Sequence, residues 1–371
     1  MAMIDLDKTK EVASEFDKYK GSGAIDLYKH TQQAKISVSD YMESLDPTEL
    51  DENGKPVHEL DALERHLMVK DVKLSGDGQF TIAQLSDKVE YLMPELILRE
   101  VRAGMNVSAK YSYLDCIAIS VPSPTATYHS LYIPDLNLSS VRSRREKSQS
   151  SRANSGKGGE FHKLSVSRRE KDIVIEDNGI QVEASYSVIR DYGWTDFAIL
   201  LQLVGAQLAA DKLQDIYDLG ITGDGTVGAA TNTFNGAGGT LAYTDLVRNQ
   251  TQYDSPFVMS RILSPQQSVE TILALAQFQD PFAGWEFQRT GKMVTPMGAL
   301  MKQINATPGS TPTGTVIVTL DHRFAVREAV NEALSVEAEK IINRKYENAV
   351  ISEMAKFSII ADGALKRIIW T

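Results

Sequence analysis

The chain of 371 residues has a single cysteine, Cys116, which excludes an internal disulfide framework and any multi-cysteine zinc or iron–sulfur site. Set between Asp115 and Ile117, that cysteine reads as a small buried apolar residue. No apolar run follows a basic N-terminal region, and no stretch of about eighteen apolar residues occurs, so neither a signal peptide nor a membrane span is expected. The cytoplasm is the expected site of synthesis and folding. Catalytic signatures are lacking too. The six histidines (His30, His58, His66, His129, His162 and His322) show no HExxH or comparable ligand spacing, and no GxSxG elbow accompanies Asp321-His322-Arg323. No GxxxxGK[ST] loop is present. The reading is of a protein that is not an enzyme and carries no metal and no cofactor. The net charge of −10 opposes phosphate binding over most of the surface.

With 42% hydrophobic residues, the chain can bury a sizeable core, and its length suits two or three domain-like parts. The segment around which the others are arranged is GWTDFAILLQLVGAQLAADKLQDIYDLGITGDGTVG, residues 193–228. Thr195 is placed to cap a helix, with Asp196 in its first turn favoured by the dipole. Phe197, Leu200, Leu201, Val204 and Leu208 recur at helical spacing and are expected to face the core. Ile199, Leu203, Ala206, Ala210 and Leu213 form a second stripe. The helix is expected to run unbroken to Gly220, and Gly223, Asp224 and Gly225 to form the turn after it. Gly223 to Gly228 formally matches GxGxxG, but a helix precedes it and a Gly/Ala/Thr loop follows. The context that places a pyrophosphate on a helix N-terminus is inverted, so a dinucleotide site is rejected.

Ahead of that helix, residues 1–75 read as short helices joined by polar turns. Leu6, Val12, Phe16 and Tyr19 are spaced for one face and Leu60, Leu63 and Leu67 for another, and the thin apolar content suggests an arm that packs on something outside itself. From Phe80 to Met105 a strongly apolar segment is interrupted by Pro94, which should end one helix and begin another, and Gly104 closes it. Tyr111 to Val121 reads as a strand. After the long helix, a strand is expected over 257–263. Ser264-Pro265-Gln266-Gln267 then reads as a capped helix start, with Ser264 as N-cap. Thr315 to Leu320 should be a short buried strand, and residues 335–370 strands separated by turns near 343–348 and at Asp362-Gly363. The class is α+β.

Composition is most unusual between Ser140 and Asp172. Ten basic residues (Arg142, Arg144, Arg145, Lys147, Arg152, Lys157, Lys163, Arg168, Arg169 and Lys171) face four acidic ones, a surplus of six that leaves −16 elsewhere. The centre, SQSSRANSGKGGE, is nearly free of apolar side chains, whereas FHKLSVS and DIVIED alternate like strands. This reads as a long two-stranded hairpin with a basic tip. On an otherwise acidic protein, its complementary surface is another copy of the chain.

Three stretches together resemble the major capsid proteins of tailed bacteriophages, the Hong Kong 97-like fold: ASYSVIRDYGWTDFAILLQLVGAQLAADKLQDIYDLGITGDGTVG (184–228), FVMSRILSPQQSVETILAL (257–275) and KIINRKYENAVISEMAKFSIIADGALKRI (340–368). The resemblance implies an N-terminal arm (1–105), a peripheral-domain strand region (106–138) and an extended β-hairpin loop (139–176). A peripheral domain with its spine helix (177–228), an axial domain (229–334) and closing peripheral strands (335–371) would follow. It also implies a virion shell of self-assembled hexamers and pentamers, put together in the host cytoplasm around double-stranded DNA. The DNA would be held loosely and without sequence preference, and portal, scaffolding and decoration proteins would be partners. The ten basic residues would then be inter-subunit contacts of the extended loop. Some members cross-link this loop through lysine and asparagine, but no local pattern around Lys147, Lys157 or Lys163 marks a partner. Two other readings stand beside it: an encapsulin-type bacterial shell, and a nucleic-acid-binding protein using 140–172 as a basic arm. The latter is weakened by Phe161 being the only aromatic there.

Overall fold

The computed structural model describes residues 7–20, 24–34, 36–48, 56, 60–74, 80–107, 112–132, 167–168, 172–225, 227–233, 239–254, 256–279, 293–295, 297–304, 314–341 and 346–370. The chain forms two compact units, one from residues 1–105, 179–205 and 334–352 and the other from 106–178, 206–333 and 353–371.

Among the described residues of the first unit, seven helices precede the long one: α1 (Asp7–Phe16), α2 (Ala24–Ala34), α3 (Val38–Leu45), α4 (Ala62–Val69), α5 (Ile82–Val89), α6 (Met93–Val107) and the short α7 (Tyr186–Asp191). Local sequence explains their starts. Ser37/Asp40, Asp61/Glu64 and Thr81/Gln84 are reciprocal capping boxes that satisfy the free amides of α3, α4 and α5. Pro94 is tolerated because it is the second residue of α6, where no intrahelical amide is required. These helices do not behave as an arm awaiting an outside surface. Phe16, Leu27, Met42, Leu63, Leu85, Tyr91 and Leu92 are all buried together with Leu67 and Val89, and each large apolar side chain so buried contributes roughly 1.5–3 kcal/mol. Arg65 stitches the unit by bonding the Asp46 carboxylate (3.3 Å) and carbonyl (2.6 Å), Thr48 and the Leu60 carbonyl. Gly104 does not close α6 but lies inside it.

The second unit is built on strands. They are β1 (Ile119–Pro122), β2 (Thr127–Tyr128), β3 (Leu131–Tyr132), β4 (Ser167–Arg168), β5 (Ile173–Val174), β6 (Glu176–Ser185), β7 (Thr231–Asn232), β8 (Arg261–Pro265), β9 (Leu300–Ile304), β10 (Val316–Leu320), β11 (Val326–Ile341), β12 (Tyr346–Ile359) and β13 (Leu365–Ile369), of which β6, β11 and β12 run on into the first unit. A five-stranded sheet has the order β7-β13-β10-β8-β9. Its centre, β10, is buried at every position, as its unbroken VIVTL run requires. Its core gathers Leu246, Met259, Ile262, Ile272, Ile317 and Ile368. A second sheet runs β1-β11-β12-β6, with β1 parallel to the start of β11.

Several local expectations give way to tertiary contacts. Only the end of the expected 111–121 strand is extended. Leu114–Cys116 is a single 3-10 turn, held where Cys116 is buried and the Ala118 amide reaches the Val326 carbonyl at 2.7 Å. The strand expected over 257–263 begins at Arg261. Ser264 is not a helix cap: pairing with Gln303 holds it in β8, so Pro265 becomes the N-cap of the helix Gln266–Leu273.

Candidate assembly surface

The residues singled out by the sequence lie on the long helix, in the turn that ends it and along the basic segment 140–172. The helix runs Trp194–Thr222, 29 residues. Thr195 is not its cap. It lies within the first turn and donates its hydroxyl to the Leu74 carbonyl at 3.1 Å, while the Trp194 amide reaches the Phe80 carbonyl. Nor does the helix stop at Gly220. That glycine is helical and buried, because a Cβ there would stand 2.5 Å from Val318 Cγ1.

The inward stripe is Trp194, Ala198, Leu201, Ala209, Leu213 and Ile216. Of the five residues expected in the core, Leu201 is buried at 1% exposure, and Phe197, Val204 and Leu208 are half-buried. Leu200 is a correction: it is 58% exposed, beside Ile199 at 53% and Leu203 at 62%. The helix is apolar on nearly all sides, so periodicity could not set its rotation. The contacts of its small residues with α6 do. The result is an exposed apolar strip, continued by Tyr192 at 54%.

In the second unit, Lys212 of this helix is half-buried between two carboxylates, Glu328 Oε1 at 3.0 Å and Glu353 Oε1 at 2.7 Å, with the Tyr113 ring 4.6 Å away. Burial alone would lower its pKa, but the two carboxylates outweigh it and push it up, so the ammonium stays charged. Gly223 and Gly225 have φ of +83° and +80°, which glycine adopts freely. Between them, Asp224 accepts from the Val227 amide (2.6 Å) and from the Ile359 amide at the end of β12 (2.9 Å). The turn is a structural staple, and its glycines cradle the chain itself.

At the hairpin, β2 pairs antiparallel with β5 and β3 with β4, so two strands leave and return side by side, the first from Thr127. Arg142, Arg144, Arg145, Lys147, Arg152, Lys157, Lys163, Arg169 and Lys171 lie outside the described residues. Arg168 is described: its guanidinium bonds Asp172 at 3.1 Å, and His129 bonds the same carboxylate.

Among the described residues, no group of three or more His, Cys, Asp or Glu side chains is placed to hold a metal ion, and no helix is long and apolar enough to cross a membrane. Burial pushes the Cys116 thiol up to about 12, far from nucleophilic. Asp321 is fully buried and bonded by the Val258 amide and the Arg323 guanidinium, and His322 Nδ1 meets Ser260 Oγ at 2.9 Å. This set anchors a turn.

No protein-family model matches the sequence, and no curated protein matches it in sequence. Solved structures do match. The capsid of an empty GTA particle is 12% identical, covering 71% of this chain and 91% of that one, with a TM-score of 0.47. The holo-SrpI encapsulin complex from Synechococcus elongatus is 12% identical over 71% and 88%, at 0.45. A phage-related protein from Bordetella bronchiseptica is 9% identical over 72% and 95%, at 0.48.

Proposed function

We propose that this chain is a shell subunit of the Hong Kong 97-like type, the major capsid protein of a tailed double-stranded DNA phage, assembling into hexamers and pentamers of an icosahedral container. The observation that carries the reading is the order of elements along one chain. A two-stranded hairpin base is followed by β6, a 29-residue helix, a Gly-Asp-Gly turn stapled to β12, a five-stranded sheet, and the long strands β11 and β12. From residue 106 onward the domain layout read from sequence is part of the same proposal, with residues 139–176 as the extended loop whose basic residues meet an acidic neighbour. The strip Ile199, Leu200 and Leu203 supplies apolar contact area, while the charge of the loop sets register and association rate.

An acidic protein suits this task, since DNA gripped by many basic contacts would resist being spooled in and released. Negative-stain electron microscopy of the purified protein tests the reading, with closed shells of uniform size as the expected result. A species that stays monomeric at high concentration overturns it. Shells whose content is a folded enzyme rather than DNA would assign the chain to encapsulin-type storage instead.

A further inference from the structure

Outside the basic segment the chain carries −16, half of it in residues 1–105. Residues 1–105 contain 21 acidic and 13 basic residues, a deficit of eight, whereas 140–172 has its surplus of six. Within the acidic block, α3, α4 and α6 enclose an open groove of 510 Å³. Its floor is Leu63, Leu67 and Leu96, all buried. Its walls set Asp40, Glu64, Glu95 and Glu100 against Arg99 and Arg102, a lining that is negative on balance.

Glu95 is the unusual member. It is 3% exposed, and its Oε1 accepts a hydrogen bond from the neutral Ser39 hydroxyl at 2.6 Å. The nearby Arg99 is paired with Asp61 and Glu64 instead. Among the described residues no cation bonds the Glu95 carboxylate, and a cation brought from outside to a carboxylate out of water recovers much of the cost of burying it. The groove therefore calls for a guest with apolar side chains next to a positive one. Residues 160–164, EFHKL, have that composition, with Phe161 and Leu164 flanking Lys163.

We propose that this groove is the landing site for residues 161–164 of a second copy of the chain, with Phe161 over the leucine floor and the Lys163 ammonium, on the same face of the alternating segment, at Glu95. The inference rests on the shell reading and adds to it the face of the neighbour on which the basic segment lands. A guest that is both apolar and positive explains why the segment combines an alternating FHKLSVS stretch with its charge. Charge alone would favour any acidic surface; the leucine floor confines the contact to one.

The buried native cysteine makes the test clean. One chain carries Ala103→Cys, at an exposed position lining the groove, and the other Leu164→Cys; the two are co-assembled and treated with a short bismaleimide. A linked heterodimer on a denaturing gel is the expected result. Adding Lys163→Glu to the second chain should lower its yield roughly ten-fold or more, as for loss of one member of a buried charge pair. A chain bearing both cysteines that links only to itself overturns the second-copy assignment. Absence of any link in preparations where microscopy shows intact shells overturns the groove and leaves the shell reading standing. Absence of both links and shells overturns the two together.

Discussion

Gly205 of the long helix and Val101 of α6 meet backbone to backbone: a Cβ on Gly205 would stand 2.9 Å from the Val101 carbonyl carbon and closer still to its oxygen. The contact is reciprocated one turn along, where a Cβ on Gly104 would stand 2.6 Å from the Gln202 Cα. Helix propensity alone would make Gly205→Ala favourable by about 1 kcal/mol. The collision is with main chain, which cannot swing aside, so overpacking of about 1–3 kcal/mol should dominate. We expect Gly205→Ala and Gly104→Ala each to lower the thermal midpoint, and the double variant to be less than additive because both force the same pair of helices apart.

Lys212 neutralises two carboxylates at once. Lys212→Met should cost about 3–5 kcal/mol in urea unfolding by leaving Glu328 and Glu353 buried against each other. Adding Glu328→Gln and Glu353→Gln to Lys212→Met should restore much of the loss. A Lys212→Met protein as stable as the parent would show that the charges are solvated after all.

The two glycines of the Gly-Asp-Gly turn should respond unequally. Nothing lies within 4 Å of a Cβ built on Gly225, so Gly225→Ala isolates the cost of positive φ, about 1–2 kcal/mol. A Cβ on Gly223 would also stand 2.7 Å from the Gly228 carbonyl carbon, so Gly223→Ala should be clearly worse. Asp224→Ala should cost about 1–3 kcal/mol by orphaning amides of Val227 and Ile359. Equal midpoints for the two glycine variants in calorimetry would contradict this account.

His66 is fully buried, with Nε2 on the Tyr91 hydroxyl at 2.8 Å and the edge of the Phe16 ring beside it. Burial, with Lys70 nearby, holds its pKa down at about 4. The folded state therefore keeps it neutral. Its contribution is complete above pH 6.5, the ordinary histidine value, and is lost as pH falls from there toward 4, after which the loss levels off. Over that window, about 3 kcal/mol should disappear. His66→Gln retains a partner for Tyr91 and cannot titrate there, so its stability against pH should be flatter than the parent's between pH 6.5 and 4. Parallel curves would remove His66 as the cause.

Leu200→Ser with Leu203→Ser tests the exposed strip. Both side chains face solvent in the single chain, so its unfolding midpoint should change by no more than about 0.5 kcal/mol. Shell formation, followed by light scattering, should fail or require much higher protein concentration. Normal assembly by this variant would show that the strip is not a contact.

The features legible in sequence are those a local rule enforces. The long helix, the central strand Val316–Leu320, the pair of closing strands and the positive-φ glycines of 223–225 all follow from periodicity, propensity or the conformational freedom of one residue. What tertiary structure alone decided is which side of each element faces in. The long helix is apolar nearly all round, so its rotation was fixed by Gly205 and Gly104 admitting α6, and this turned Leu200 outward. The N-terminal helices have a self-contained core because side chains as distant in sequence as Phe16 and Tyr91 meet there, an association no window of the sequence contains. Ser264 likewise became a strand residue because β9 pairs with it. Local chemistry chooses the conformation of each element, whereas facing and partnership come from close packing between elements far apart in the chain.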